Sequence, residues 1–449
     1  MPLPDLAALT HINRDVQVRF DVARIAELHP THAVIDDAPD GFRIGDRMSF
    51  PMAAPDPGGE IISLSENRAT ILFEGSPGGV SIGDPVISRG PLRIAPTDTW
   101  LGRVIDSVAR PLDGKPLLRG DTPRGLTAPA PAHDRRDLGV RLATGLALFD
   151  TALPIVRGQR IGIFAGAGVG KSTLIGTFAS RLEADVVVIA LVGERGREVG
   201  TFLKSILGQK GLARSVVVVE TSDRPSLARR RVVPTAISVA EHFRDQGRHV
   251  LLMVDSMTRL AEAHREIALA GGELPALRGH PPSLIPCLAE LVERTGTGAG
   301  TSGDITAIYS ILVPGSDMDE PVADTMRGLL DGHVVLTRAI AEQGRFPAVD
   351  LLQSVSRALP ECASEDENAL LQDLREDIAL VEGSDVMRRT GLYQPGGDPR
   401  LDTAISRRDR IVEFLSARSS EGTDAAFRRL ADILATDDDQ PDDPATSPA

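Results

Sequence analysis

The sequence has 449 residues, is 42% hydrophobic and 25% charged, and carries a formal net charge of −14. That length implies two or three domains, since one core rarely serves so long a chain, and the negative balance opposes a nucleic acid partner. Aromatic residues make up only 3%, with one Trp and two Tyr, so cores must be built from Val, Leu, Ile and Ala, with little left for base-stacking platforms.

In chain order, LPDLAALTHINRDVQ (residues 3–17) has the apolar spacing of a short amphipathic helix. It reads either as a frayed terminus or as a partner-docking helix, and residues 1–17 are set apart as an N-terminal segment. Short alternating stretches follow: VQVRFDV (16–22), EIISL (60–64), RATILF (68–73) and DPVISR (84–89). Gly, Pro and Asp turns separate them, which predicts a small β-barrel over residues 18–95. From Gln159 apolar runs alternate with helical stretches: RIGIFAG (160–166), DVVVIALVG (185–193), SVVVVET (215–221), HVLLMVDS (249–256), DITAIYSILV (304–313) and HVVLTR (333–338). Such runs suit parallel strands covered on both faces, so residues 96–358 are expected to form an α/β domain with a mostly parallel sheet. EDENALLQDLREDIALVEG and DTAISRRDRIVEFL predict a helical domain over 359–435. The tail 436–449 supplies five of the negative charges and is expected to be disordered.

Two cysteines, Cys287 and Cys362, make no disulfide framework and fit a reducing compartment. The first residues lack the pattern of a secretory signal, and no apolar run reaches the roughly 18 residues that a span needs. A cytoplasmic protein is the expectation.

The stretch FAGAGVGKST (164–173) misses the pattern G-x-x-x-x-G-K-[ST] only at Ala165. Gly166, Gly168 and Gly170 let backbone N–H groups approach a phosphate, and the helix that follows adds its positive N-terminal end. Residues Ala165, Gly166, Ala167, Gly168, Val169, Gly170, Lys171, Ser172 and Thr173 are therefore the candidate nucleotide-binding loop. Lys171 is placed to reach the β- and γ-phosphates and Ser172 to ligate Mg²⁺. Asp255 closes the apolar run LLMVD, where a strand tip facing the loop suits a Mg²⁺–water ligand; alone, such an Asp as often caps a helix. Glu194, at the tip of VVVIALVGE, either polarises the attacking water or pairs with Arg195 or Arg197. Arg357, in a Ser-rich turn, is either a finger that completes a neighbour's site or a solvated surface arginine.

WLGRVIDSVARPLDGKP (100–116), TGLALFDTALPIVRGQRIGIFAGAGVGKST (144–173), LVGERGREVGTF (191–202) and PAVDLLQSVS (347–356) resemble the rotary ATP synthase α/β superfamily. The last meets that superfamily's signature P-[SAP]-[LIV]-[DNH]-x-x-x-S-x-S at every fixed position. Within the superfamily, ETSDRPSLARRR (220–231), HFRDQGRHVLLMVDSMTRLAEAHREIALAGGELPALRGHPPSL (242–284), DMDEPVADTMRGLLDGHVVLTR (317–338) and GLYQPGGDPRLDTAI (391–405) are similar to the flagellar and type III secretion export ATPases. The likeness runs over residues 60–415.

The resemblance implies a β-barrel, a RecA-like ATPase core and a helical C-terminal domain in a homohexamer that uses ATP and Mg²⁺. By motif, Lys171 and Ser172 take the phosphate-loop roles and Asp255 the Mg²⁺ role. Glu194 becomes the catalytic carboxylate, Arg195 lies near the γ-phosphate, and Arg357 is the finger offered to the next subunit. Alanine at position 165 then marks the export branch. The resemblance further implies a flagellar export motor at the cytoplasmic face of the inner membrane, served by a stator-like regulator, an export gate and chaperone–substrate complexes. An injectisome ATPase or a rotary proton ATPase subunit are the alternatives. A transcription-terminator type nucleic acid translocase would need basic and aromatic residues together near the N-terminus, where only Phe20, Phe42, Phe50 and Phe73 offer a hint, and Arg229, Arg230 and Arg231 read as ring-interface charge. A non-catalytic ring subunit would not need Glu194 beside Lys171. His280 stands where the family often has an aromatic residue. ECASEDENAL (361–370) has no aromatic to stack on adenine, which predicts loose base selectivity.

Overall fold

Six short strands between Val22 and Pro91 alternate inward and outward side chains and close on themselves. They are β1 (Val22–Leu28), β2 (His32–Asp36), β3 (Asp46–Ser49), β4 (Gly59–Leu64), β5 (Arg68–Phe73) and β6 (Pro85–Pro91), paired in the order β1-β2-β5-β4-β3-β6 with β6 returning to β1. Ala69, Ile71 and Phe73 of β5 face inward with Ile25, Ile35, Ile61 and Val86, the two-residue period of a strand with one buried face. Closure leaves no free edge. The structure is a computed structural model and describes residues 21–127, 134–419 and 422–435. The expected docking helix over 1–17, Phe20, most of the strand expected over 16–22 and the tail 436–449 lie outside the described residues.

Phe42, Phe50 and Phe73 are buried in the barrel core, with the Phe50 and Phe73 rings 5.0 Å apart, so they form no base-stacking surface. The same compact unit takes in residues 225–230 and 262–282. There Leu227 and Ile267 pack on Leu72, Arg230 pairs with the buried Glu60, and Arg229 pairs with Glu266 at 2.7 Å. Arg231 is 4% exposed. The run Arg229–Arg231 is thus engaged or buried within its own chain.

The second unit is organised by an eight-stranded sheet. Its strands are β7 (Arg103–Ile105), β8 (Arg160–Ala165), β9 (Val186–Glu194), β10 (Ser215–Thr221), β11 (Val250–Asp255), β12 (Ile305–Leu312), β13 (Gly332–Leu336) and β14 (Val349–Ser356). They lie in the order β14-β13-β8-β12-β11-β9-β10-β7. All neighbours are parallel except β13 and β14. Along β9, Val187, Ile189 and Leu191 join one core while Val186, Val188 and Ala190 join the other. Both faces are therefore covered, which is why the run carries no polar alternation.

On the first face lies α1 (Lys171–Arg181), through Leu174, Ile175 and Phe178. On the other lies the part of α2 (Ser226–Arg244) from Val232 onward. The C-terminal helices α3 (Glu365–Gly383), α4 (Asp385–Arg389), α5 (Pro399–Ser416) and α6 (Thr423–Ala435) add Leu371, Leu374, Phe414, Phe427 and Leu430 to the first core. Ser364 starts α3 with a reciprocal bond to Glu367, satisfying two otherwise orphaned N–H groups. The fold is thus an N-terminal barrel, a mostly parallel RecA-like sheet with a phosphate-loop helix, and an all-helical C-terminal region, as the sequence predicts. Among the described residues no helix is long and apolar enough to cross a membrane.

Candidate nucleotide site

The tips of β8, β9 and β11 converge, because parallel strands put all their C-terminal ends on one edge and their following loops beside one another. Ala165 ends β8, where it pairs with Leu312 and Leu336 on either side and is 1% exposed. Its side chain belongs to the core, and so does that of Val169; only their backbone can serve a phosphate. The loop turns at Gly168 (φ +79°) and Gly170 (φ +90°), a backbone region that side chains avoid. α1 then begins at Lys171, with Ser172 and Thr173 exposed in its first turn. Free N–H groups and the positive helix end thus face the space above the loop.

Lys171 Nζ donates to Asp255 Oδ1 and to Ser310 Oγ at 3.3 Å, and Ser310 Oγ donates to the same Asp255 oxygen at 2.7 Å. Asp255 is buried, so a carboxylate there needs such partners. Ser172, Glu194, Arg195, Glu198 and Asp255 line one cleft of about 550 Å³. Glu194 is half-buried: burial chiefly, then the like charge of Asp255 and a shared hydrogen bond with Glu198 that favours the protonated form, raise its carboxyl to about 7, while Lys171 pulls the other way. Arg195 opens the helix over Gly196–Thr201 and its side chain, 82% exposed, pairs with Glu198 at 3.7 Å. Arg195 thus pairs with Glu198 and not with Glu194. A carboxyl that ionises near neutrality, beside a phosphate-sized cradle, is what proton transfer from water requires.

Ser172 and Asp255 present hard oxygen donors to the same cleft, the ligand chemistry Mg²⁺ takes. Among the described residues no group of three or more His, Cys, Asp and Glu could hold a metal by itself.

Arg357 is not in this cleft. It follows β14, which runs antiparallel to β13 with Ser356 beside Gly332 and Val349 beside Leu336. Leu336 neighbours Ala165 at the phosphate-loop end, so Arg357 sits at the opposite end of the sheet, about 13 Å or more away at 3.3 Å per residue. Its backbone N–H donates to Asp331 O at 2.9 Å and its exposed guanidinium to Arg327 O at 3.4 Å.

An aromatic residue does stand beside the phosphate loop, outside 361–370. Phe346, 53% exposed, stands against the phosphate loop: a Cβ placed on Gly170 would lie 3.3 Å from its ring. With Gly170, Thr173, Thr177, Pro347 and Arg418 it lines a second cleft of about 410 Å³. The signal in the sequence was an aromatic–proline pair directly before a strand.

Residues 145–356 match the model of the ATP synthase alpha/beta family, nucleotide-binding domain, and residues 363–431 that of the T3SS EscN ATPase C-terminal domain. The flagellum-specific ATP synthase of Caulobacter vibrioides is 42% identical over 84% of this chain and 87% of its own length. This chain belongs to the flagellar and type III secretion export ATPases. The type 3 secretion system ATPase of Xanthomonas euvesicatoria is also 42% identical, over 84% of this chain and 86% of its own. Among solved structures, the assembled ATPase EscN of enteropathogenic E. coli, in complex with its central stalk EscO, superposes with a TM-score of 0.83 at 36% identity, covering 92% of this chain and all of that one. The chain therefore carries the nucleotide-binding domain of an ATP-hydrolysing family.

Proposed function

We propose that this chain is the ATP-hydrolysing motor of a type III protein export apparatus, acting as a homohexamer. The observation that carries this is the gathering of Lys171, Ser172, Glu194 and Asp255 at one edge of the sheet, with Arg357 at the other. One chain then holds both halves of an interfacial site.

In this reading Lys171 leaves Asp255 for the β- and γ-phosphates, and the loop N–H groups and the α1 end hold the remaining phosphate charge. Ser172 and Asp255 would hold Mg²⁺, the Asp through water, and the ion when bound supplies charge neutralisation on the phosphates. The Glu194 carboxylate accepts a proton from water as the water oxygen bonds to the γ-phosphorus. The bond from that phosphorus to the bridging oxygen breaks, and ADP keeps the electron pair. Arg195 and the neighbour's Arg357 offset charge on the transferring group. Phe346 supports the base.

The pH dependence follows from Glu194. Only the ionised carboxylate accepts a proton, so kcat/KM should rise with pH up to about 7 and level off above it. Glu198→Gln removes a group that raises this pKa, and the limb should move to lower pH; a pH–rate profile with an unmoved limb would count against Glu194 as the base.

The central stalk of the solved relative supports a stalk-like partner in the ring, and the export gate, chaperone–substrate complexes, stator-like regulator and peripheral attachment to the inner membrane belong to the same proposal. The flagellar and injectisome relatives are equally similar at 42%, so identity does not favour the flagellar system. The match of residues 363–431 to a type III secretion C-terminal domain favours the injectisome reading. Complementation tests function and system together: the chain should restore export in a strain lacking its flagellar or its injectisome ATPase, and the restored strain names the system. Lys171→Ala should restore neither and should lose nearly all ATPase turnover. Normal turnover in that variant would remove the phosphate-loop assignment.

A further inference from the structure

We propose that Arg418 reads the edge of the bound purine and lets this site accept GTP alongside ATP. The proposal rests on the nucleotide reading above. The second cleft begins at Gly170 and Thr173, so the base of a nucleotide whose phosphates occupy the loop falls into it, against the face of Phe346. Arg418 enters from just past the end of α5. Its backbone is held on both sides: Ala147 N–H donates to Ala417 O at 3.1 Å and Ser419 N–H to Gly145 O at 3.1 Å, with Arg418 bridged to Leu146.

The guanidinium itself is exposed and makes no hydrogen bond or ion pair with any described residue. Among the described residues this donor fork has no partner, and it lines the same cleft as an aromatic side chain. The remaining polar lining is Arg181 and the hydroxyls of Thr173, Thr177 and Ser416. Thr177 Oγ1 already donates to Thr173 O at 2.9 Å. Arg181 ends α1, where a cation offsets the free carbonyls, and needs no further role.

Among the described residues no Asp, Glu, Asn or Gln lines the cleft. Adenine presents an amino donor at position 6 and guanine a carbonyl acceptor, while both present N7. A guanidinium donates only. It can bond N7 of either base but completes a two-pronged contact only with guanine, and no carboxylate or carboxamide stands ready to select the adenine amino group.

The test measures kcat/KM for ATP and GTP with the full chain and its Arg418→Ala, Arg418→Lys and Phe346→Ala variants. The unmodified chain should use GTP within about tenfold of ATP, and Arg418→Ala should lower GTP use roughly tenfold more than ATP use, the scale of one lost bidentate base contact. Arg418→Lys should recover little of the GTP rate, because a point charge lacks the fork. Equal losses for both nucleotides, no loss for either, or GTP use more than about a hundredfold below ATP would each overturn the proposal. Phe346→Ala separates it from the reading beneath. A rise in KM of roughly tenfold for both nucleotides supports the base placement whatever Arg418 does. An unchanged KM for both overturns that placement and the Arg418 proposal with it.

Discussion

Glu194→Gln should bind ATP with nearly unchanged affinity and hydrolyse it about 10²–10⁴-fold more slowly, the usual contribution of a positioned general base. The carboxamide matches the carboxylate in size, so the packing around the end of β9 is kept. It cannot take the proton of water at neutral pH. Asp255, the buried carboxylate of the same cleft, already accepts from Lys171 and Ser310 and is poorly placed to substitute. Burial, Asp255 and Glu198 together raise Glu194, so replacing it by a neutral group relieves repulsion in the cleft and should not unfold the chain. Single-turnover phosphate release and binding of a fluorescent nucleotide separate the two effects. Lost binding would make Glu194 a structural residue, and unchanged turnover would leave water activation to another group.

How far the sequence revealed this arrangement depended on the kind of signal each part carries. The buried parallel strands were legible because both faces are apolar: SVVVVET was placed at 215–221, where β10 lies, and RATILF at 68–73, where β5 lies. β2, β3, β7 and β14 were not placed as strands, and β1 starts only where the strand expected over 16–22 ends. β3 reads DRMS, too short and polar to show a period. β14 reads VDLLQSVS, with buried Val349, Leu351, Ser354 and Ser356; an irregular register against β13 breaks the two-residue period midway and two buried serines weaken it further, although the same residues carried the family signature. Glu194 illustrates a different limit. Sequence alone left it between a salt bridge with Arg195 or Arg197 and a free carboxylate. In the structure Arg195 pairs with Glu198 instead, a matter of one helix turn that no spacing rule resolves. Phe346 was missed because the aromatic was sought after β14, whereas the chain brings one in before it, across the sheet edge from its sequence neighbours.

Arg357→Ala should lower hydrolysis by about 10³–10⁵-fold while leaving nucleotide binding to each chain largely intact, because Arg357 lies at the end of the sheet away from its own phosphate loop. A group so placed can reach a γ-phosphate only on another copy, and a ring of identical subunits sets each copy's far edge against the next copy's near edge. The decisive measurement mixes Arg357→Ala chains with Glu194→Gln chains. Each is inactive alone. In a mixed ring, an Arg357→Ala subunit keeps Glu194 and Lys171, and a Glu194→Gln neighbour on the correct side supplies Arg357. At equal proportions and random assembly, about one interface in four is then complete, and turnover should recover toward that fraction of the unmodified rate. Recovery at that level cannot come from either variant acting within itself, since each lacks one member of every self-contained site. Absence of recovery, with mixed rings shown to form, would place the arginine's effect inside its own chain. The contact to look for is then the Arg357 bond to the Arg327 carbonyl, and the loss of activity would be one of sheet-edge packing.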